Sequence, residues 1–245
     1  MKRQIYISIL LLFCFVAWAC HKAPVCDCFE AAGNPSEETR VLPYFEQVHT
    51  TDDINVVISM GNTEQVIIQG GSNLIHNVAA NVSNNILTLK NNNICDWLRS
   101  YKKSILTVYI TMPRVTYLEN EGSGSITSAD TITGDTLQVQ TISSGDINLM
   151  VHTNVILGHM FGPGDVTLNG VSNNLLCTAN GGTGFLYAST LKTSYTFIST
   201  TTTGDCYVNT SNLLIAEIYL RGNVYYKGSP VIESSIKGAG KIIKD

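Results

Sequence analysis

The chain has 245 residues, only 14% of them charged, and a net charge of −4 at pH 7. Arg221 is the one arginine of its C-terminal half, so no basic patch can neutralise a run of phosphates, and nucleic acid is not expected as a partner. The low charge, the 20 glycines and the abundance of Thr, Asn and Ser favour β structure over helix, in one or two domains.

Residues 1–19 are predicted to be a signal peptide. Lys2 and Arg3 supply its charged start, and the apolar run that follows is roughly a dozen residues long, too short to span a bilayer as a helix. The tetrapeptide Ala17-Trp18-Ala19-Cys20 is similar to a bacterial lipobox, in which Cys20 carries the lipid anchor. Its first three residues also suit an ordinary signal peptidase that cuts after Ala19. Both alternatives predict export, and the first predicts a lipid-anchored protein of the outer membrane or cell surface.

Residues 20–43 are predicted to be the lipid anchor and a polar tether. They include Pro24, Pro35 and Pro43 and show no hydrophobic periodicity, which is typical of a spacer between an anchor and a domain. Such a spacer holds the domain away from the membrane surface.

The cysteines predict neither a disulfide framework nor a metal site. Cys14 leaves with the signal peptide and Cys20 is assigned to the anchor, so an odd number remains. Cys177 and Cys206 lie in apolar runs and are predicted to be small buried side chains. Cys26, Cys28 and Cys95 are left with their pairing open, and Cys26-Asp27-Cys28 lacks the spacing of a zinc site. No metal and no cofactor is predicted.

From residue 44 to residue 112 the sequence predicts strands of irregular length. Six runs alternate or are apolar, and Gly61-Asn62, Gly70-Gly71 and Asn84-Asn85 divide them as turns. The runs are 45–48, 54–58, 65–68, 78–82, 85–89 and 105–110. They are predicted to be the first, atypical turns of the array that follows. Residues 91–103 break the pattern as a projecting loop or short helix, where Ile94, Trp97 and Leu98 either cover a core edge or contact a partner or a second copy.

The rest of the chain repeats itself. Glycines that begin a strand-like run recur at Gly124, Gly145, Gly164, Gly184, Gly204, Gly222 and Gly240, which are 21, 19, 20, 20, 18 and 18 residues apart. A period in this range is typical of a solenoid. Two positions after each glycine stands an apolar residue, flanked by mostly polar ones: Ile126, Ile147, Val166, Leu186, Cys206, Val224 and Ile242. This alternation predicts a half-buried strand.

Each repeat contains a second strand-like run, such as Thr136-Leu137-Gln138-Val139 or Ser194-Tyr195-Thr196-Phe197, and no helical stretch. The sequence therefore predicts an all-β, single-stranded parallel β-helix with turns of roughly 20 residues. Glycine marks the corners, where either a positive φ or a close approach of two backbones is needed.

The repeats resemble the head GIN domain family of auto-transporter adhesins. The resemblance is carried by Ser143-Ser144-Gly145-Asp146-Ile147-Asn148, by the corners Gly122-Ser123-Gly124 and Gly162-Pro163-Gly164, and by the closing Lys237-Gly238-Ala239-Gly240-Lys241-Ile242. It implies a right-handed parallel β-helix behind a lipoprotein signal, on the surface of a Gram-negative bacterium, without catalytic residues. The GIN-type domain is accordingly placed at residues 44–245.

Parallel β-helices also include polysaccharide lyases and hydrolases, so an enzyme is the alternative. Such enzymes need clustered acids for acid–base chemistry or for calcium. Asp146, Asp165 and Asp205 each follow a corner glycine, and two adjacent carboxylates could bind a cation. Asp after glycine more often completes a turn, and this second interpretation is preferred. A tight carboxylate cluster in a groove would favour the enzyme.

One feature favours binding. Tyr187, Tyr207 and Tyr225 stand three positions after successive corner glycines, so the alternation predicts an outward aromatic column. Such a column either stabilises the sheet or offers a flat platform to sugar rings or to a protein. The sequence thus predicts a non-enzymatic, adhesin-like or structural envelope module with a glycan or protein ligand. A purely architectural protein that self-associates is the third hypothesis.

Overall fold

The computed structural model describes residues 31–93 and 106–245. The predicted signal peptide and Cys20, together with Cys26, Cys28, Cys95 and the loop residues Ile94, Trp97 and Leu98, lie outside the described residues. A short 3-10 helix at Ile75–Asn77 accompanies the strands. The strands are β1 Pro35–Arg40, β2 Gln47–Thr50, β3 Asn55–Met60, β4 Gln65–Gly71, β5 Val78–Ser83, β6 Ile86–Asn91, β7 Thr107–Met112, β8 Tyr117–Asn120, β9 Ile126–Thr141, β10 Ile147–Met160, β11 Val166–Asn180, β12 Leu186–Thr201, β13 Cys206–Ile218, β14 Val224–Lys227, β15 Val231–Ile236 and β16 Ile242–Lys244.

The strands form a β-solenoid of about seven turns, each about 19 residues long. Strands β9 to β13 each supply two sides of a turn, since β3 pairs with the first half of β9 and β8 pairs with its second half. We call the stack of first halves, with β3, β7, β14 and β16, ladder A. The stack of second halves, with β2, β6, β8 and β15, is ladder B. Both ladders are parallel, as predicted.

The glycine spacing predicts the register of ladder A correctly. Ile126 pairs with Ile147, and each later member of the predicted inward column pairs with the next: Ile147 with Val166, Val166 with Leu186, Leu186 with Cys206, Cys206 with Val224 and Val224 with Ile242. The first six are buried, and Ile242 in the last turn is half-buried. Like residues therefore lie above like residues, and the core runs along the coil axis as one apolar cluster.

The corner glycines are required by space and not by φ. None of the seven has a positive φ. A Cβ added at Gly184 would lie 2.3 Å from the carbonyl oxygen of Gly164, and one at Gly164 would lie 2.4 Å from that of Gly145. Successive turns are only about 4.8 Å apart, so the corner backbones touch, and of the two explanations for these glycines the close approach is the right one.

The six strands predicted before residue 112 all form, but their order in space differs from their order in the chain. Strand β2 lies between β6 and β8, and strand β3 lies between β7 and β9. The first turn of the chain is therefore inserted between two later turns. Strand β4 then pairs antiparallel with β7, and β5 pairs antiparallel with β6. These strands are thus atypical turns of the same coil, as predicted, and the antiparallel strands β4 and β5 are what makes them atypical.

Part of the predicted tether is a strand. Strand β1 pairs antiparallel with β4 along its whole length, from Pro35 opposite Gly71 to Arg40 opposite Val66. Its alternate residues Ser36, Glu38 and Arg40 are half-buried, and Glu38 pairs with Arg40 at 3.2 Å. Residues 35–40 of the predicted polar tether therefore form a strand, because the open edge of β4 takes up this polar segment.

The two ends of the coil differ. Strands β1 and β5 cover the N-terminal end, whereas β13 is the one described strand that pairs with β15 at the other end. Its inward-pointing Ile232 and Ile236 remain 39% and 48% exposed. Within the described residues, no helix is long and apolar enough to cross a membrane.

Candidate functional site

Three tyrosines form a stacked column on the outer face of ladder A. Tyr187 pairs with Tyr207, and Tyr207 pairs with Tyr225. Their ring centroids are 5.5 and 4.8 Å apart, with interplanar angles of 14° and 9°. Phe185 extends the stack, with its ring 5.8 Å from that of Tyr187. The geometry is that of offset aromatic stacking, and we call the three tyrosines the tyrosine column.

Stacking decides which part of each ring reaches solvent. Both faces of the Tyr207 ring are covered, by Tyr187 on one side and by Tyr225 on the other. The column therefore presents ring edges and hydroxyls, and it does not offer the flat row of open faces that the sequence suggested. Loss of water contact in the stack, and then the nearby Asp205 carboxylate, raise the pKa of Tyr207. Its hydroxyl is accordingly protonated at neutral pH and can donate a hydrogen bond.

The three aspartates beside the column hold successive turns together. Asp146 Oδ1 accepts a hydrogen bond from the backbone N–H of Asp165 at 2.9 Å, and Asp165 Oδ1 accepts one from Phe185 at 2.8 Å. Asp205 Oδ1 accepts two from Asn223, at 2.7 Å from the backbone nitrogen and 3.0 Å from Nδ2. Each carboxylate thus completes the corner of the next turn, which confirms the structural interpretation of these residues.

Asparagine performs the same role at two further corners. Asn55 Oδ1 accepts from the backbone N–H of Ser125 at 2.9 Å, and Asn223 Oδ1 accepts from that of Lys241 at 3.0 Å. Sequence reasoning missed these two because it looked for acids alone. An acceptor oxygen is what the corner needs, and a charge is not.

The described residues offer little to the enzyme alternative. No group of three or more His, Cys, Asp or Glu side chains in the described part of the chain is placed to hold a metal ion. Asp146, Asp165 and Asp205 are distributed along the axis, and each is bonded to the neighbouring turn. Acid–base chemistry needs carboxylates that converge on one point.

A cleft opens next to the tyrosine column, at the corner between the two ladders. Its volume of about 530 Å³ is in the range typical of ligand sites. Eight of its eleven lining residues carry a hydroxyl or an amide, and the other three are Val171, Lys192 and Gly228. Asn209 lies two residues beyond Tyr207 on the same outward face, so the cleft and the column are contiguous. Lys192 is the one charged residue of the lining, which contains no carboxylate.

The cleft exists because one turn is shorter than its neighbour. Ala188 of β12 pairs with Val208 of β13, but the next pair is Lys192 with Asn209. Three residues of β12, Ser189 to Leu191, thus have no paired residue in β13. The shorter turn of β13 leaves a recess beside them. The floor is rigid, since the hydroxyls of Thr193, Thr196 and Thr210 lie within 2.6 to 3.1 Å of one another.

Two cysteines lie in the core and away from this face. Cys177 and Cys206 are free and buried, as predicted. Burial raises the pKa of Cys177 to about 12 and raises that of Cys206 well above its usual value. Both thiols are therefore protonated and act as small apolar side chains.

The structure brings the predicted tyrosines together and adds residues that the sequence did not single out. Phe185 is one of them, and its ring joins the stack. Lys192 and Asn209 line a cleft that depends on a register shift between two turns. A signal was present, since the spacing of the corner glycines shortens from 20 to 18 residues after Gly204.

The sequence matches, over residues 44–230, the family described as "Putative auto-transporter adhesin, head GIN domain". Comparison with curated proteins gives no match. Among similar solved structures, a "putative adhesin" from Bacteroides fragilis has a TM-score of 0.78 at 20% identity, over 86% of this chain and 97% of that chain. A second "putative adhesin", from Parabacteroides distasonis, has a TM-score of 0.67 at 15% identity, over 87% and 98%.

A "putative lipid binding protein" from the same Parabacteroides species gives a TM-score of 0.68 at 16% identity, over 87% of this chain and 97% of that chain. At such identities the likeness of these structures shows a common fold alone. The family match shows common membership as well as a common fold, because it spans most of the chain and covers nearly every turn of the solenoid described above. This protein therefore belongs to the head GIN domain family.

Proposed function

We propose that this protein is a non-enzymatic, adhesin-like binding module of the cell envelope, and that its ligand contacts the tyrosine column. Membership of a family described as adhesins supports a role in binding at the cell surface. The observation that carries the proposal is the column itself, in which Tyr187 is 39% exposed and Tyr207 and Tyr225 are half-buried.

The column is suited to binding because it is already ordered. Each ring is held by its neighbours and by a ladder of backbone hydrogen bonds, so little side-chain freedom is lost when a ligand arrives. Tyrosine combines an apolar ring edge with a hydroxyl that donates and accepts. A row of such hydroxyls, spaced by roughly one strand separation of 4.8 Å, matches a ligand that carries repeated polar groups, such as a glycan or an extended protein segment.

The proposal includes attachment to the membrane. The charged start, apolar run and Cys20 of the sequence support a signal peptide over residues 1–19, acylation of Cys20 and an outer-membrane or cell-surface location. Residues 20–34 then serve as the tether that leads to β1. The intact mass of the mature chain distinguishes an acylated Cys20 from simple cleavage after Ala19.

The first test is a binding screen of the mature protein on arrays of glycans and matrix proteins, with a parallel assay for polysaccharide cleavage. We expect saturable binding and no cleavage. Cleavage would establish the enzyme alternative. Silence in both assays would favour the architectural role, in which copies of the protein associate with one another.

The second step compares two substitutions of the central tyrosine. Tyr207→Phe keeps the ring and the stack but removes the hydroxyl, and Tyr207→Ala removes both. Because ring edges and hydroxyls are what the column exposes, we expect Tyr207→Phe to weaken binding by about fivefold and Tyr207→Ala by at least about tenfold, the range of one or two lost hydrogen bonds.

Tyr109 provides the matched control. It is 40% exposed and stands in the same outward column, but Val57, Thr127, Asn148 and Thr167 separate it from Tyr187. Tyr109→Ala should leave binding unchanged. Equal affinities of the wild-type protein and Tyr207→Ala, with both folded by circular dichroism, would remove the tyrosine column from consideration.

A further inference from the structure

We infer that the cleft beside the tyrosine column recognises the carboxylate or sulfate group of an acidic saccharide, and that Lys192 is the residue that pairs with this anion. The inference rests on the proposed function and names the class of its ligand. It is carried by the composition and shape of the cleft.

The first step concerns charge. Lys192 is exposed at the cleft, its side chain makes no hydrogen bond or ion pair with any described residue, and no carboxylate lines the cleft around it. An ammonium group without a protein partner is available to an anionic ligand. The protein as a whole has a net charge of −4, so its overall field does not attract anions and the preference must arise locally.

The second step concerns hydrogen bonding. Ser194, Ser211 and Ser229 line the cleft on successive turns. The hydroxyls of Ser194 and Ser229 make no bond within the described part of the chain, whereas Ser211 donates to the carbonyl oxygen of Thr193 at 3.2 Å. Asn209 donates a hydrogen bond from Nδ2 to the carbonyl oxygen of Ser189, and its Oδ1 has no partner among the described residues. The hydroxyls of Ser194 and Ser229 can donate or accept and Asn209 Oδ1 can accept, so the cleft can hydrogen-bond the hydroxyls of a sugar.

The third step concerns the neighbouring acids. Asp205 lies beyond Tyr207, on the side of the column away from Asn209. Asp245 lies further along the axis and is paired with Lys227 at 3.5 Å. Neither is part of the lining. An anion in the cleft thus faces Lys192 and neutral donors, while the rest of the saccharide extends over the tyrosine hydroxyls.

The shape of the cleft selects a small group over a folded partner. A cavity of about 530 Å³ holds one or two sugar rings, and its floor is the bonded triangle of Thr193, Thr196 and Thr210. These buried hydroxyls are satisfied by one another, so the ligand meets a fixed wall and the side chains of Lys192, Ser194 and Asn209 at its rim.

The test uses the mature protein and calorimetric titration with defined probes: an oligogalacturonate, a sulfated oligosaccharide, a neutral oligosaccharide of equal length and inorganic sulfate. We expect at least one acidic oligosaccharide to bind about tenfold more tightly than the neutral one, as expected for one added charge-assisted hydrogen bond, and its affinity to fall with added salt. Sulfate alone should bind much more weakly, since it cannot reach the tyrosines.

Variants assign the effect to the cleft. Lys192→Met keeps the length and packing of the side chain and should remove the tenfold preference without changing the affinity for the neutral probe, while Lys192→Arg should retain it. Lys90→Met is the control, because Lys90 is also exposed but lies on β6 near the other end of the coil. It should behave as the wild-type protein.

The outcomes separate the two proposals. Neutral and acidic probes of equal affinity, or an unchanged preference in Lys192→Met, would overturn this inference, while dependence on Tyr207 would leave the proposed function intact. If no saccharide binds in the titrations or on the glycan arrays, this inference fails, whereas saturable binding of a matrix protein that depends on Tyr207 would leave the proposed function intact. If an acidic saccharide binds and Lys192→Met alone weakens it, the cleft is the site even where Tyr207 has no effect.

Discussion

At the scale of single residues, the corners of this coil are limited by the distance between backbones. The Cβ of an alanine at Gly184 would lie 2.3 Å from the carbonyl oxygen of Gly164. The position of the Cβ is fixed by its own backbone, and the oxygen belongs to the backbone of the neighbouring turn, so neither atom can rotate away. Relief would require the two turns to separate locally. We therefore predict that Gly184→Ala lowers the free energy of unfolding by about 1 to 3 kcal/mol, the range of overpacked sites, as measured by urea denaturation.

Gly134 is the matched control for this substitution. It lies in β9 without a positive φ, and no atom lies within 4 Å of the position that its Cβ would take. Gly134→Ala should leave stability unchanged or raise it by up to about 1 kcal/mol, because alanine restricts the unfolded chain. Equal destabilisation by both substitutions would show that general flexibility, and not the contact between turns, explains the corner glycines.

At the scale of structural elements, a column of side-chain oxygens beside the tyrosines links successive strands. These oxygens belong to Asn55, Asp146, Asp165, Asp205 and Asn223. Asp205 joins the start of β13 to the start of β14 through two hydrogen bonds to Asn223, at 2.7 and 3.0 Å. Asp205→Ala leaves a half-buried N–H without its acceptor. We expect a loss of about 1 to 3 kcal/mol in the free energy of unfolding, the usual cost for such a bond to a charged group.

Asp205→Asn tests whether the charge matters. Asn55 and Asn223 make the same bond elsewhere in the column with a neutral oxygen, so Asp205→Asn should stay within about 0.5 kcal/mol of the wild-type protein. A loss as large as that of Asp205→Ala would show that the carboxylate acts electrostatically. The comparison is made by thermal and urea unfolding at one pH.

Parts of this architecture follow from the sequence and parts do not. Parallel stacking repeats the same environment every turn, so the inward column from Ile126 to Ile242 and the tyrosine column are visible as periods. Strand β1 is not visible, since the residues Pro35–Arg40 are polar and become a strand only because β4 offers an open edge. The cleft is equally hidden, because it arises from a register shift between β12 and β13.

At the scale of the whole molecule, stability is distributed along the axis. Each turn contacts only its neighbours, so the free energy of the coil is approximately a sum of pairwise terms between turns. Interior turns have two neighbours and end turns have one. Strands β1 and β5 supply a second neighbour at the N-terminal end, whereas β15 pairs on one side, and all six of its residues are exposed.

This arrangement predicts a gradient of opening that native-state hydrogen exchange can measure. Amides of β15 and β16 should exchange fastest, those of β2, β3, β6 and β7 should be intermediate, and those of β10 to β12 should be slowest, because local opening follows the number of stabilising neighbours. Gly184→Ala should then increase exchange most in β11, β12 and β13, the turns adjoining its corner, and least in β2 and β3.

Uniform protection would contradict nearest-neighbour coupling. Protection of β15 equal to that of β11 would show that another strand covers Ile232 and Ile236 in solution, and it would identify the C-terminal edge as an occupied interface.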